Sequence, residues 1–536
     1  MLDKLNQIYP VRYTAFIASV VLLIFTLLGA GVTGLSGWWP ILFLVLSGVG
    51  WYDVQQTRHA ILRNYPLIGH LRFMLETIRP EIRQYFLESE TDAAPFSRAQ
   101  RTLVYARAKG ESDKRPFGTQ LDVRSIGYEW INHSIAPSQL QHHDFRVMVG
   151  GADCTQPYSM SLFNVSAMSF GALSANAIMA LNLGAKLGGF AHDTGEGSIS
   201  RHHRTHGGDL IWEIGSGYFG CRDANGHFSP ERLVENVRSP QVKMVEIKLS
   251  QGAKPGHGGV LPGPKVTAEI AEARGVEVGE DCVSPASHSS FSTPLGLMQF
   301  VQQLRTLSDG KPVGIKLCIG HPWEWFGIVK AMQESGIAPD FIVVDGAEGG
   351  TGAAPLEFSD HMGMPLQEGL RLVHNTLVGV GLRDQIRLGA SGKIVSAFDM
   401  ARALALGADW CNSARGFMFA LGCIQAQTCH TGHCPTGVTT QDPQRQMALV
   451  VPSKAERVHQ FHTHTLEALQ ELMQASGLHA PSDITPRHIM RRVSERHTLH
   501  LSELVDTLAS GDLLQDDLSA LPSVFQDWPL ASAAHF

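Results

Sequence analysis

The feature that most constrains this chain is a rhythm between residues 160 and 420. Short apolar runs recur there: FNVSAM, GFAHDT, MVEIKL, DCVSPA, PVGIKL, FIVVDG, IRLGAS and DWCNSA. Each has little polar alternation, as expected of strands buried on both faces. Between most of them lie helical patterns such as SANAIMALNLGAKLG, PLGLMQFVQQLRTL, WEWFGIVKAMQESG and SAFDMARALALG. Alternating strands and helices of this kind predict an α/β fold, a (β/α)8 barrel. On this reading RHHRTHGGDLIWEIGSGYFG is an insertion between the second and third strands.

Chemistry in such a barrel gathers where strands end. The unusual residues fall there. Ser166, Ala167, Met168 and Ser169 follow strand one, Asp193–Glu196 strand two, Lys248–Gln251 strand three and Ser284 strand four. Lys316 lies within strand five, Asp345–Gly352 follows six, Ser391–Lys393 seven and Ala414–Gly416 eight. The glycine turns at Ser391-Gly392-Lys393 and Ala414-Arg415-Gly416 suit a phosphate, whose usual site in this fold is the loops after strands seven and eight. Lys316 sits in the apolar run GIKLCIG, so it needs a partner. A flavin ring, which gains negative charge on reduction, is one; a carboxylate at the barrel rim is the other. Lys248 and Lys254 are candidates for holding a dicarboxylate, with Gln251 adding a directional hydrogen bond. Glu196, between glycines in DTGEGS, suits proton or ammonium handling, or holds a loop. His192, His202, His203 and His206 lack zinc spacing and read as packing or surface.

Three of the eight cysteines, Cys423, Cys429 and Cys434, fall in one run, C-x5-C-x4-C, followed by Pro435. They are candidate ligands of an iron–sulfur centre, or of zinc with His430 or His433 completing the set. A net charge of −7 argues against general nucleic-acid binding.

The N-terminus is of another kind. From Tyr13 to Tyr52 there is no Asp, Glu, Lys, Arg or His. Two apolar runs, about Tyr13–Val32 and Trp38–Trp51, predict a transmembrane helical hairpin with interfacial tryptophans. Lys4 and Arg12 before it, with Arg58 and Arg63 after it, put both ends in the cytoplasm. That implies an inner (cytoplasmic) membrane location with the catalytic domain facing the cytoplasm. A signal peptide fits poorly, because a second apolar run follows. The expected organisation is a two-helix anchor over 1–60, a helical layer over 61–140, a barrel with its cysteine loop over 141–445 and a helical segment over 446–536. Within these, RFMLETIRPEIRQYFLES reads as a helix interrupted at Pro80, and DITPRHIMRRVS reads as helical.

Across roughly 115–445 the chain resembles the glutamate synthase family, in its FMN-binding synthase domain. The resemblance runs through NVSAMSFGALS, HDTGEGS, GSGYFG, IKLSQGAKPGHGG, LPGPKV, DGAEGGTGAAP and LGC-x5-C-x4-CPTGVTTQDP. It implies that Cys423, Cys429 and Cys434 hold a [3Fe–4S] cluster, and that electrons pass through it to FMN. FMN is then bound by Ser166–Ser169, Lys316, Gly350, Ser391, Gly392, Lys393, Ala414, Arg415 and Gly416. It also implies that Lys248, Gln251 and Lys254 contact 2-oxoglutarate, that Glu196 and Lys248 are catalytic, and that 2-iminoglutarate is reduced to L-glutamate. Two departures matter. Met1 leads into the apolar segment rather than a glutaminase domain, so ammonia or another amine is free or comes from a separate glutaminase subunit. His257 stands where the family has Glu in GEGG. No dinucleotide fingerprint is evident, so a ferredoxin or separate reductase is the expected donor. The alternatives are another FMN-barrel oxidoreductase on a 2-oxo or 2-hydroxy acid, or a membrane-bound electron-transfer or regulatory subunit.

Overall fold

A computed structural model describes residues 11–33, 37–91 and 94–536. Lys4 and residues 34–36 of the turn between the apolar runs lie outside them. The chain divides into two compact units, one ending at Arg98 and one from Ala99 to Phe536.

In the second unit eight parallel strands close into a barrel. They are β1 (Phe163–Val165), β2 (His192–Asp193), β3 (Leu210–Ile214), β4 (Val242–Lys248), β5 (Val313–Leu317), β6 (Phe341–Asp345), β7 (Arg387–Ser391) and β8 (Trp410–Ser413). The ring closes where Ser413 of β8 registers with Val165 of β1. The barrel is as expected, but one strand is not. LIWEI, assigned to an insertion, is β3, fully buried and paired with both β2 and β4. MVEIKL is therefore the fourth strand, not the third. Cys282–Ser284 lies outside the barrel and pairs antiparallel with Gly259–Leu261. Its middle residue, Val283, is exposed, which a barrel strand covered on both faces would not allow.

Small and large residues fit across neighbouring strands. Gly314 lies under the Phe341 ring and Gly389 under the Trp410 indole, each too close for a Cβ. The antiparallel hairpin of Arg146–Val149 and Tyr158–Ser161 covers the N-terminal end, where Val149 and Met160 join Ile211, Met244 and Trp410 in one apolar cluster. The opposite end is left to the loops. Outside the barrel, the 25-residue helix Val451–Ala475 packs on helix Ala175–Gly188, where a Cβ on Gly184 would meet Val458 at 2.5 Å. The segment DITPRHIMRRVS is not an α-helix: after a single 3-10 turn at Pro486–His488 it becomes extended. Ile489–Arg492 is a strand between Glu129–Ile131 and Thr498–His500, fixed by Arg491 on the Glu129 carboxylate.

The first unit contains α1 (Thr14–Thr33), α2 (Trp38–Gln55) and α3 (Ile68–Ile82). Ser19 and Ser47 hydroxyls lie 3.2 Å apart, and Gly50 sits against the Phe16 ring. Both pairs sum to the same residue number, so α1 and α2 run antiparallel there. Among the described residues, one segment, Val11–Gly29, is long and apolar enough to cross a membrane. α3 runs through position 80 without the break expected at Pro80, and ends in a wide turn over Arg83–Leu87.

Candidate active site

Lys248 is the last residue of β4, so its side chain enters the loop end of the barrel. There its ammonium donates to Glu196 Oε2 at 2.7 Å and to Gln251 Oε1 at 3.3 Å. Lys254, His257 and Ser284 line the same pocket. Burial alone would raise the Glu196 carboxyl, but Lys248, Arg274 and Lys254 together hold it down at about 2. Burial works against the Lys248 charge, yet Glu196 and Glu213 raise its pKa above the usual lysine value. Lys254 is lowered by burial, with Glu196 opposing and Lys248 repelling it. The pocket therefore holds two cations against one carboxylate and is suited to an acidic ligand. His288 anchors this end of β4. Its Nε2–H donates to the Lys248 carbonyl at 2.9 Å, and burial keeps its pKa near 4, so the ring is neutral. Ser284, expected after a barrel strand, reaches the pocket from the outer hairpin instead. His257 lies against the Phe358 ring and bonds the Gly258 carbonyl at 2.7 Å.

Below this pocket the barrel interior is charged. Lys316 donates to Glu213 at 2.6 Å and lies 3.9 Å from Glu246. Asp193, Glu213 and Glu246 have carboxylate oxygens within 4.8 Å of one another, all buried. Burial and the neighbouring carboxylates raise Asp193 to about 7 and Glu246 well above the ordinary range. The cluster thus retains protons at neutral pH, and Lys316, held by the same carboxylates against its own burial, stays charged. Of the two partners considered for Lys316, the carboxylate is present.

The ends of β1, β7 and β8 meet in a third cluster. Ser166 Oγ lies 3.3 Å from Ser391 Oγ, and the Ser166 amide donates to the Ser413 carbonyl at 3.1 Å. Ala167 and Met168 continue from β1, and Ser169 Oγ accepts from the Gly197 amide at 3.2 Å, joining the β1 and β2 loops. Beyond Ser391, Gly392 and Lys393 both take positive φ, at 151° and 51°. This sharp turn brings Lys393 near Arg415. The Arg415 guanidinium donates to the Glu348 carbonyl and packs on Gly350, where a Cβ would meet it at 2.8 Å. Gly416 fits against Ser413 Oγ in the same way, next to Ala414. Burial and then Arg415 lower Lys393, and burial brings Arg415 to about 10. Lys393 and Arg415 repel one another while Glu348 supports both charges and Asp345 that of Arg415, so the turn gathers two cations beside two carboxylates.

The cysteine loop lies beside this cluster. A Cβ on Gly352, in the β6 loop, would meet Cys429 Cβ at 3.9 Å, and Gln441 donates to the carbonyls of Gly171 and Leu173 in the β1 loop. The Tyr105 hydroxyl donates to the Cys423 carbonyl at 2.6 Å. Gln425 and Gln427, at φ 58° and 56°, take left-handed turns that side chains adopt only under constraint. Burial pushes the Cys423 thiol up to about 12, with Cys429 and Cys434 adding to it. At Cys434 burial acts the same way, but bonds from Thr436 and Thr439 bring it down to about 7. A cation or cluster that stabilises thiolates suits this grouping.

Asp193 is among the residues singled out after strand two; the site residues not read from sequence are Glu213, Glu246 and Arg274. For Glu213 and Glu246 the signal is a lone charge inside an apolar run, LIWEI and MVEIKL, the same signal that singles out Lys316; Arg274, at the end of the helical stretch AEIAEAR, carries no such signal. The four histidines pack as expected for His192 and His203, which are fully buried with ring centroids 5.2 Å apart, and His202 pairs with Glu269.

Comparison with known proteins fits this geometry. A family model described as a conserved region in glutamate synthase matches residues 133–479. The glutamate synthase large subunit-like protein YerD of Bacillus subtilis is 38% identical over 499 residues, covering 85% of this chain and 94% of that protein. The archaeal-type NADPH glutamate synthase of Thermotoga neapolitana is 35% identical over 316 residues, and the chain spans 59% of its length. The NADPH glutamate synthase large chain of Bacillus subtilis is 32% identical over 346 residues, 21% of its length. The family match takes in all eight barrel strands, the Glu196–Lys248 pocket and the three cysteines: the chain belongs to the glutamate synthase family.

Proposed function

We propose that this protein is a glutamate synthase-like oxidoreductase that makes L-glutamate from 2-oxoglutarate and ammonia or another amine. The observation that carries this reading is the convergence of Lys248, Gln251 and Lys254 around Glu196 at one end of the barrel. Lys248 and Lys254 are placed to hold the two carboxylates of the oxo acid, and Gln251 to fix its rotation. Ammonia condenses with the oxo group with loss of water, and the resulting imine takes up two electrons and two protons. Glu196, ionised beside Lys248, is placed to hold an incoming ammonium and to pass its proton.

The facing cations Lys393 and Arg415 fit the phosphate of FMN, and the Ser166–Ser391 contact and the Gly350 turn fit the space beside it. Lys316, kept charged in the barrel, would lie toward its ring. Cys423, Cys429 and Cys434 are the candidate ligands of a [3Fe–4S] cluster: Cys429 lies beside the β6 loop and Cys434 is lowered toward its thiolate, while the three sulfurs would have to close up to share one centre. When bound, FMN supplies hydride chemistry and the cluster supplies one-electron transfer. The reductant is a ferredoxin or a separate reductase, in contrast with the NADPH in the relatives' names, and a separate glutaminase subunit is a further candidate partner. α1 and α2, whose apolar side chains are largely exposed, hold the chain in the inner membrane with the barrel on the cytoplasmic side.

The deciding experiment is anaerobic. The purified protein should contain flavin and iron, and a low-potential donor should bleach the flavin. Addition of 2-oxoglutarate with ammonia should then restore its colour and yield glutamate. Reoxidation by neither compound, or a folded protein without flavin, would overturn the reading; reduction by NADPH alone would overturn the donor assignment.

A further inference from the structure

Among the described residues, nothing covers the apolar face of α3. Ile68, Leu71, Leu75 and Ile78 recur at helical spacing, and each is between 41% and 55% exposed. Arg72 and Arg79 stand along one border of that face, with Arg83 in the turn beyond; Arg72 is bridged to Glu76 at 3.0 Å, so the border is edged by guanidinium groups and keeps a net positive charge. From residue 58 to residue 83 there are five arginines against two glutamates.

The position of this helix is fixed. Asp53, fully buried near the end of α2, accepts from the Leu67 amide at 3.0 Å and pairs with His70 Nε2 at 2.9 Å. Leu67 itself takes the left-handed conformation, φ 67°, which redirects the chain just before α3. The first turn of α3 is thereby tied to the end of α2 where Trp51 and Tyr52 are exposed, the aromatic pair that marks the edge of an apolar slab.

We infer that α3 lies on the surface of an anionic phospholipid bilayer, its apolar stripe among the acyl chains and Arg72, Arg79 and Arg83 among the phosphates. This rests on the reading of α1 and α2 as membrane-spanning. Charge decides the occupant: an arginine border attracts lipid phosphates, whereas two copies of the stripe facing each other would bring like charges together. Continuity decides the place, since α3 starts within hydrogen-bond reach of the helix that would leave the bilayer.

The test uses the full chain in nanodiscs of either phosphatidylglycerol-rich or pure phosphatidylcholine lipid, with amide hydrogen exchange followed over residues 14–33 and 68–87. Residues 14–33 should be protected in both. Residues 68–87 should exchange at least about tenfold more slowly in the anionic lipid. The triple variant Arg72→Gln, Arg79→Gln, Arg83→Gln should abolish that difference while leaving residues 14–33 protected. Equal exchange of 68–87 in the two lipids, or a difference that survives the triple variant, would overturn the surface assignment. Unprotected residues 14–33 would instead overturn the membrane reading beneath it.

Discussion

Glu196 shows how one residue's chemistry is set by what surrounds it. Its carboxyl is held down at about 2, well below the ordinary carboxylate range, because three cations outweigh its burial. A carboxyl lowered on folding adds stability that is fully present above about 4.5 and is lost as the pH falls through about 2. Lys248 is raised, so its contribution is present below the ordinary lysine value and is lost as pH rises through its higher folded value. The pair thus stays charged throughout the physiological range. Glu196→Gln should therefore cost about 2 kcal/mol at pH 7. The difference from the parent should shrink steadily in denaturant titrations from pH 5 to pH 2; a pH-independent difference would show that shape and not charge is at stake. At this scale the sequence was informative wherever a polar residue closed a strand: Lys248, Ser391 and Arg415 are all where such a pole requires them. Glu213 and Glu246 carry the same signal as Lys316, a lone charge inside an apolar run, but LIWEI is assigned to an insertion and MVEIKL is read for the lysine at its end. The complementary lysine on β5, which they neutralise, gives them away.

At the scale of elements, the pole is held together by backbone contacts that tolerate no side chain. Gly252, just after β4, donates its amide to Asp345 Oδ2 at 2.9 Å, and a Cβ there would fall 1.8 Å from the Gly346 carbonyl. This binds the Gln251–Lys254 loop to the β6 loop. Gly252→Ala must separate the two, and should raise the KM for 2-oxoglutarate at least about tenfold while flavin content is kept. Equal loss of flavin would show that the β6 loop, rather than the substrate loop, had given way. The same scale explains the misassigned strands. LIWEI follows a histidine-rich stretch and carries Trp212 and Glu213, so it looks like part of an excursion, while CVS has the apolar brevity of a buried strand. Pairing partners far along the chain settle both cases, and local pattern does not contain them. Ile489–Arg492 is the same problem: its charges suit a helix surface, but Glu129 and the register with Ile131 draw it into a sheet.

For the molecule as a whole, the division after Arg98 separates an apolar N-terminal unit from the catalytic one. Full-length protein should stay in the membrane pellet through an alkaline carbonate wash, and a chain beginning at Ala99 should be released to the supernatant with its flavin. Recovery of both in the supernatant would remove the anchor from the account. The small sheet that joins Glu129–Ile131 to Ile489–Arg492 adds a consequence of timing. Arg491 reaches a carboxylate 362 residues earlier in the chain. During synthesis Glu129 gains its first partner, Arg402, only when the seventh barrel strand is complete, and its second, Arg491, later still. The apolar leading segment, by contrast, needs no later residue to be ready. If the N-terminal unit is the proposed anchor, a nascent chain is tethered before it is folded, and the ribosome holds the last piece of its enzyme to the end.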